Sequence, residues 1–152
     1  MKKLIISMMI FILAACAPSG AGGSELERNR QTWESAGISH YRFELNLSCF
    51  CAFHDQMPLA VEVKNGEVVS ITAVDGNPVS ADDPNYRHFI NLGTIDRLFA
   101  ELDDVIGSAD AGEVTVTYDD TLGFPTEVSI DYIDQAIDDE LYVSVSGFEQ
   151  LP

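Results

Sequence analysis

The amino-acid sequence predicts an α+β domain in which an antiparallel sheet of about six strands carries two helices, in the order α-β-β-β-α-β-β-β. Three observations support this fold class. Apolar and polar residues alternate from position 41 to position 51, as on a half-buried strand. Asn65-Gly66 separates two further alternating runs, which is typical of a tight hairpin. Residues 95–106 place apolar side chains at helical spacing. Strand runs with helices segregated between them favour an antiparallel sheet with helices on one face.

The first half of the domain is predicted to contain one helix and three strands. A serine with a glutamate three positions later is a capping-box pattern, which predicts a helix from Ser24 to Ala36. The next strand is predicted to place on one face Tyr41, Phe43, Leu45, Leu47, Cys49 and Cys51. The second and third strands are predicted over residues 59–64 and 67–74, on either side of the Asn-Gly turn.

The second half is predicted to contain one helix and three more strands. A loop rich in Asp, Pro and Asn leads to Thr94, a suitable N-cap, and the helix is expected to end at Gly107. Its apolar positions are Ile95, Leu98, Phe99, Leu102, Val105 and Ile106. Alternating patterns then predict strands over residues 113–119, 126–132 and 141–148.

The chain is expected to divide into a leader, a tether and one folded domain. Two lysines after Met1 and an uncharged apolar run to Ala15 are typical of a signal peptide. The run is too short to span a bilayer, which takes about 20 residues. We expect a signal peptide over residues 1–15, a lipidated cysteine with a flexible tether over 16–23, and a single α+β domain over 24–152.

The sequence at the end of the leader, Leu13-Ala14-Ala15-Cys16, resembles the lipobox of bacterial lipoproteins. The resemblance implies that the Cys16 thiol receives a diacylglycerol, that the preceding peptide bond is cut, and that the new amino group is acylated, for example with palmitate. Several acyl chains hold firmly, because each buried CH₂ contributes about 0.8 kcal/mol. We expect an anchor in the bilayer of the cell envelope. An aspartate after the cysteine resembles an inner-membrane retention signal, so Ala17 favours the outer membrane, facing the periplasm.

The charge of the chain is strongly one-sided. Its 152 residues include 25 Asp and Glu against 8 Lys and Arg, which gives a formal net charge of −17 at pH 7. Such a surface repels phosphate backbones and anionic headgroups, which argues against nucleic acid as a partner and against broad adsorption to a bilayer. It attracts a basic protein or a divalent metal, although the same charge also serves solubility alone.

Two cysteines lie close together at the end of the first predicted strand. With Cys16 assigned to lipid, Cys49 and Cys51 remain, and an even remainder in an exported protein favours a disulfide. In a regular strand their Cα atoms would lie about 6.5–7 Å apart, at or beyond the limit for a disulfide, so a bridge needs a bend at this point. Two buried thiols remain an alternative.

Metal or redox chemistry is the third interpretation of this segment, because His54 follows Cys49 and Cys51 closely. Zinc would need a fourth ligand in addition to these three side chains. The candidates for that ligand are Asp55, His40 and His88. The sequence gives no reason for any of these to approach the cysteines.

Acidic residues gather from the end of the fifth predicted strand onward and in the turn before that strand: Asp131, Asp134, Asp138, Asp139 and Glu140, with Asp119 and Asp120. These carboxylates could bind calcium, but the spacing of an EF-hand loop is missing, and blocks of like charge are typical of solvated loops. The sequence also lacks the motifs of a hydrolase elbow, a zinc-binding helix, a phosphate loop or a dinucleotide fold. It therefore predicts no catalytic residue and no cofactor.

The set of motifs resembles an uncharacterised family of bacterial lipoproteins that is known only as a domain of unknown function. The residues that carry the resemblance are Trp33, Tyr41, Phe43, Cys49-Phe50-Cys51, Thr94-Ile95, Leu98-Phe99, Tyr118-Asp119, Gly123-Phe124-Pro125-Thr126, Ile130-Asp131 and Asp139-Glu140. The resemblance implies lipidation and an envelope location, and it supplies no activity. The doubled helix-and-three-strand order is also similar to the tandem folds of some periplasmic inhibitor proteins.

Taken together, these observations favour a non-enzymatic, membrane-anchored binding or assembly module of the envelope that works through a surface of its antiparallel sheet, with an envelope protein as its partner. Two alternatives stay open. One is a metal-binding lipoprotein that uses the Cys/His segment or the acidic loop. The other is an inhibitor of a periplasmic enzyme, whose basic cleft would receive the acidic surface.

Overall fold

The computed structural model describes residues 21–109, 112–133 and 136–152. It confirms the α+β class, with a single six-stranded antiparallel sheet. The helices are α1 (Ala21–Ala36), α2 (Tyr86–Leu92) and α3 (Ile95–Ile106), with a short 3₁₀ helix at His54–Gln56. The strands are β1 (His40–Ser48), β2 (Leu59–Lys64), β3 (Glu67–Thr72), β4 (Val114–Tyr118), β5 (Pro125–Asp131) and β6 (Glu140–Gln150).

The sheet consists of two three-stranded halves joined in the middle. Its strand order is β3-β2-β1-β6-β5-β4, so the first and the last strand of the domain lie side by side. In this central pair, Leu45 lies opposite Val145 and Ser48 lies opposite Tyr142. The junction brings the end of β1 next to the start of β6, which decides where the candidate site forms.

The helices cover one face of the sheet and bury its apolar side chains. Along β1, for example, Tyr41, Phe43, Leu45 and Leu47 are buried while the residues between them are more exposed. The aromatic ring of Trp33 packs edge-on against Tyr41, with ring centroids 5.3 Å apart. The opposite face of the sheet is polar, as expected for an antiparallel sheet that is solvated on one side.

Tyr41 is buried in this core, and its phenol oxygen accepts a hydrogen bond from the backbone N–H of Ile95 at 3.1 Å. Burial, the main cause, raises the pKa of Tyr41 from 10.0 to about 12. The folded state therefore holds the proton at pH values where the unfolded chain has lost it.

We expect alkaline pH to destabilise the domain through Tyr41. The stability linked to its raised pKa is complete below pH 10 and is lost as the pH rises through about 12, a loss of about 2–3 kcal/mol. Urea unfolding at a series of pH values should show this decline, and Tyr41→Phe should make it shallower although its baseline stability is lower. Tyr142→Phe, on the exposed face, should keep the wild-type slope; equal slopes for all three proteins would contradict the prediction.

Several predicted elements are confirmed almost to the residue. Asn65 and Gly66 both have positive φ, 54° and 78°, as a two-residue hairpin turn requires. Thr94 caps α3 by accepting a hydrogen bond from the N–H of Arg97 at 3.1 Å, and Gly107 follows its last residue. All six predicted strands are present.

Three predicted boundaries or elements were wrong. The helix α1 begins at Ala21, so it includes residues 21–23 of the expected tether and Ser24 lies inside it. Gly22 and Gly23 have low helix propensity, so this extension depends on propagation from the formed helix, in which each added residue gains a hydrogen bond. The strand β1 ends at Ser48, before the cysteines. The helix α2 was predicted as loop, although Phe89 and Leu92 bury an apolar side of it.

The predicted signal peptide and Cys16 lie outside the described residues. Within the described part of the chain, none of the helices combines the length and the apolar character needed to cross a bilayer.

Candidate functional site

A disulfide joins Cys49 to Cys51 directly after β1. Because the strand has already ended at Ser48, the chain bends, and the two Cα atoms lie 5.1 Å apart rather than at strand spacing. The N–H of Cys51 donates to the carbonyl oxygen of Cys49 at 2.8 Å, which tightens the bend. Phe50, at its tip, is 86% exposed. The disulfide therefore fixes an aromatic ring in solvent.

Beside this bend lies a cleft of about 370 Å³, which we call the disulfide cleft. Its apolar part, apart from the bend itself, is formed by Leu47, Phe53, Leu92 and Leu141. Its polar part is formed by His88, Asn91, Glu101, Tyr132, Asp138, Asp139 and Glu140. The cleft thus draws side chains from β1, α2, α3, β6 and the loop between β5 and β6. A cleft that is partly apolar with a few convergent polar groups is the usual form of a binding site.

The apolar side of the cleft is anchored in the core. The buried ring of Phe53 packs edge-on against Phe89 of α2, with centroids 5.1 Å apart. The same ring lies 6.1 Å from the imidazole of His88. These contacts hold α2 beside the disulfide bend, so the helix missing from the sequence prediction builds one wall of the cleft.

The polar wall contains a strong hydrogen bond between two half-buried side chains. The phenol O–H of Tyr132 donates to Oε1 of Glu101 at 2.6 Å. Burial is the main cause that raises the pKa of Tyr132, and the hydrogen bond to Glu101 raises it further. The phenol is therefore neutral at pH 7, and Glu101 is held in place as an acceptor.

Asp139 adds a carboxylate with one free oxygen. Its Oδ2 accepts a hydrogen bond from the N–H of Ile133 at 2.8 Å, which fastens the two ends of the β5–β6 loop. Its Oδ1 is enclosed and has no hydrogen-bond partner among the residues that the structure describes. A buried acceptor without a donor is costly, and because this oxygen is closed to solvent it is not open to a ligand in the cleft.

The electrostatic character of the cleft is negative. Four carboxylates line it, those of Glu101, Asp138, Asp139 and Glu140, and His88 is the one basic side chain among its described lining residues. Carboxylates accept hydrogen bonds from ammonium and guanidinium groups, and such charge-assisted bonds are the stronger kind. The arrangement therefore favours a cationic ligand group next to an apolar one.

The metal candidates do not form a metal site, although His88 lines the same cleft as the two cysteines. Cys49 and Cys51 are bonded to each other, and the imidazole of His54 pairs with its neighbour Asp55, Nε2 to Oδ1 at 2.7 Å, at the exposed surface. His40 bonds Glu62 and the Pro152 carbonyl. Within the described ranges, no group of three His, Cys, Asp or Glu side chains could hold a metal ion.

The acidic residues divide between the two ends of the sheet. Asp138, Asp139 and Glu140 line the cleft, while Asp119 uses its Oδ1 to accept the N–H groups of Thr121 and Leu122 in the distant β4–β5 turn. Asp134 lies outside the described residues. The calcium interpretation therefore gains no support from the described carboxylates.

Reducing the disulfide should loosen the Cys49–Cys51 bend strongly but lower the stability of the whole domain only slightly. The bridge closes a loop of three residues, for which chain entropy accounts for only about 1–2 kcal/mol. Thermal unfolding with and without a phosphine reductant should show a shift of this size, while amide hydrogen exchange at Phe50 and Cys51 should speed up strongly. A global unfolding on reduction would contradict this expectation, and Cys49→Ser with Cys51→Ser should reproduce the reduced state.

A comparison with protein families matches residues 25–150 of the chain to a family of unknown function, DUF6174. A comparison with curated proteins finds no match. Two motifs noted in the sequence, Cys49-Phe50-Cys51 and Asp139-Glu140, both line the disulfide cleft. Asn91, Glu101 and Tyr132 also line it and were not predicted as site residues, whereas His88 was predicted only as a candidate zinc ligand.

Proposed function

The chain belongs to the DUF6174 family of unknown function, and we propose that it is a lipid-anchored, non-enzymatic module of the bacterial cell envelope that binds a protein partner at the disulfide cleft. The partner would present a basic side chain beside an apolar one. The observation that carries the proposal is the exposure of Phe50 at the rim of an acidic cleft.

Three exposed apolar side chains lie in the two segments that form the rim of this cleft, the disulfide bend and the β5–β6 loop. Phe50 is 86% exposed, and in the loop that supplies Tyr132 and Asp138 to the cleft, Ile137 is 84% exposed and Ile133 54%. Apolar groups surrounded by polar ones are typical of protein interaction sites, where aromatic residues act as anchors. In a chain with a net charge of −17, solubility alone gives no reason to fix a phenylalanine in solvent.

The charge of the cleft supports a basic partner. Its carboxylates would attract a Lys or Arg side chain, and the exposed carboxylates of Asp138 and Glu140 would accept its hydrogen bonds. Phe50 offers an aromatic face to the same cation. An inhibitor of a periplasmic enzyme would use the same surface, with the basic residue belonging to the target enzyme.

The anchor is supported by the sequence alone. Cys16 follows a leader of signal-peptide length and the Leu13-Ala14-Ala15 pattern. Acylation there would keep the domain at a membrane surface, where we place it at the outer membrane, facing the periplasm. The metal alternative has no comparable support, because the cysteines form a disulfide.

Site-specific photo-crosslinking in living cells tests the binding site. A photoreactive residue in place of Asn91, inside the cleft, should give a discrete adduct, and one in place of Val69, exposed at the far sheet edge, should not. The Asn91 adduct should fall at least tenfold with Phe50→Ala or Glu140→Lys.

The matched control is Val74→Ala, which removes a similarly exposed apolar side chain outside the cleft and should leave the adduct unchanged. Absence of any Asn91 adduct, or an adduct indifferent to the cleft variants, would rule out the cleft as the binding site. Mass spectrometry of the adduct would identify the partner, whose contact region should contain a basic residue.

A further inference from the structure

The strand β4 is an open edge of the sheet. It pairs with β5 on one side, and no strand among the described residues pairs with its other side. Its sequence, Val-Thr-Val-Thr-Tyr, carries no charge, proline or glycine in a strongly acidic chain. Such an edge is a template for another strand, and natural proteins usually defend it.

The strand β3, at the opposite edge of the sheet, is protected against pairing with another strand. The strand β3 is irregular, with a register shift against β2 between Glu62 and Val63. Its Glu67 pairs with Arg97 of α3 at 3.2 Å. Its Val68 lies so near Gly93 that a Cβ on that glycine would come within 2.9 Å of it. The strand β4 also has a register shift, against β5 between Thr117 and Tyr118, and its Tyr118 stacks on Phe99 of α3 with centroids 6.5 Å apart. It has no charged side chain, so it forms no ion pair like that of Glu67.

The backbone of β4 offers hydrogen bonds to a new strand. The N–H of Asp131 donates to the carbonyl oxygen of Glu113, so Glu113 and every second residue after it direct their backbone groups toward β5. Val114 and Val116 consequently direct their N–H and C=O groups to the open edge. Their side chains lie partly buried against the core, where an added strand would cover them further.

A groove lies beside the C-terminal part of this edge, from Val116 to the β4–β5 turn. About 400 Å³ of space lies between β4 and the first turns of α1, with Val116 and Tyr118 on one side and Glu25, Arg28 and Asn29 on the other. The helix approaches closely at Gly123, where φ is +76° and a Cβ would come within 2.5 Å of the Asn29 carbonyl oxygen. An edge strand beside a helix is the arrangement in which peptides bind by strand addition.

The charges around the groove favour a basic peptide as its ligand. Glu25, Asp119 and Asp120 line it, while Arg28 is its one described basic residue and lies 3.7 Å from Glu25. The negative charge also affects Tyr118: burial raises its pKa to about 12, and the carboxylate of Glu25 contributes to the increase. An incoming strand with Lys or Arg at its ends would be attracted.

The same charges argue against a second copy of the chain. Antiparallel self-pairing about Val116 would place Glu113 opposite Asp119 of the other copy, and like charges directly opposite each other are destabilising. Two molecules that each carry a charge of −17 also repel one another. The occupant is therefore a different protein.

We infer that an extended segment of a partner protein, apolar at alternate positions and basic at its ends, binds as a seventh strand along β4 in the groove against α1. The inference does not depend on the disulfide cleft, which lies at the other end of β5: Tyr118 pairs with Pro125 at the groove end, and Asp131 with Glu140 at the cleft end.

The test uses the full chain in detergent and the labelled heptapeptide Lys-Thr-Val-Thr-Val-Thr-Lys, measured by fluorescence anisotropy at about 0.15 M salt. When a peptide is added as a strand, the residues whose side chains enter the groove are the same residues whose backbone N–H and C=O groups form hydrogen bonds with β4. A peptide with both valines N-methylated should therefore bind at least tenfold more weakly. A control peptide with the three threonines N-methylated should keep its affinity within threefold, because the N–H groups of the threonines point to solvent.

The charge requirement is tested on the protein. Glu25→Lys with Asp120→Lys should weaken binding at least tenfold, while Glu34→Lys with Asp82→Lys, the same change in net charge away from the groove, should have little effect. Phe50→Ala should not alter binding, which separates this site from the cleft. The inference is overturned if the heptapeptide does not bind, if N-methyl-valine peptides bind equally well, or if light scattering shows a dimer of the chain that the peptide dissociates.

Discussion

Replacing Trp33 by alanine should lower the free energy of unfolding by about 3–5 kcal/mol, the largest loss we expect from a single core substitution. Trp33 is 4% exposed and is surrounded edge-on by the rings of Tyr41, Phe124 and Phe148, with centroids 5.3, 6.1 and 5.8 Å away. Its indole N–H also donates to Oδ1 of Asp96 at 3.1 Å. The substitution would leave a cavity between α1, α3 and the sheet.

Urea unfolding followed by far-ultraviolet circular dichroism measures this loss, since Trp33 is the only tryptophan and its fluorescence disappears with it. Phe50→Ala is the matched control, because it removes an aromatic ring that is 86% exposed and should change stability by about 0.5 kcal/mol or less. A loss below about 1.5 kcal/mol for Trp33→Ala would show that the aromatic cluster is not the centre of the core.

Cys16→Ser should abolish lipidation completely, leaving either an uncleaved precursor or an unlipidated product. Without the thiol there is no acceptor for the diacylglycerol, and several acyl chains are what a stable anchor needs. The measurements are the mass of the purified chain, incorporation of labelled palmitate, and separation of membranes from soluble protein. The wild-type protein and the control double variant, Cys49→Ser with Cys51→Ser, should each incorporate labelled palmitate.

A Cys16→Ser protein that retains the label and the mass of a processed, acylated chain would disprove the anchor. This experiment concerns the anchor alone. The cleft and the groove are tested on the folded domain, and their outcomes do not depend on it.

Local patterns predicted most of the fold. The cap at Thr94, the Asn65-Gly66 turn and the alternation from Tyr41 to Leu47 are decided by neighbouring residues, and the structure has them where the sequence places them. The helix α2 was missed because the Asp, Pro and Asn residues before it are typical of a loop. Asn85, at its N-cap, makes no side-chain cap. The spacing of Phe89 and Leu92 was the available signal.

The candidate site could not be assembled from the sequence. The Cys49–Cys51 bend and the Asp139-Glu140 pair each stood out, but they meet only because β1 pairs with β6, and nothing local specifies that pairing. Tyr132 and Glu101 meet for the same kind of reason, since they lie 31 residues apart on different elements. The groove at β4 required the strand order, which shows that this strand is an edge.

The central pairing of β1 with β6 also has a consequence for how the chain folds. Glu44 and Ser146, which face each other across it, are 102 residues apart in sequence. Contacts between such distant residues are entropically costly to close and form slowly. Until the eleven residues of β6 have been made, β1 and β5 each lack their neighbour in the sheet, and the two halves of the domain are not joined. During synthesis, the sheet therefore cannot be completed until β6 has been made, and we expect a chain truncated before β6 to be degraded by proteases rather than to form a smaller domain.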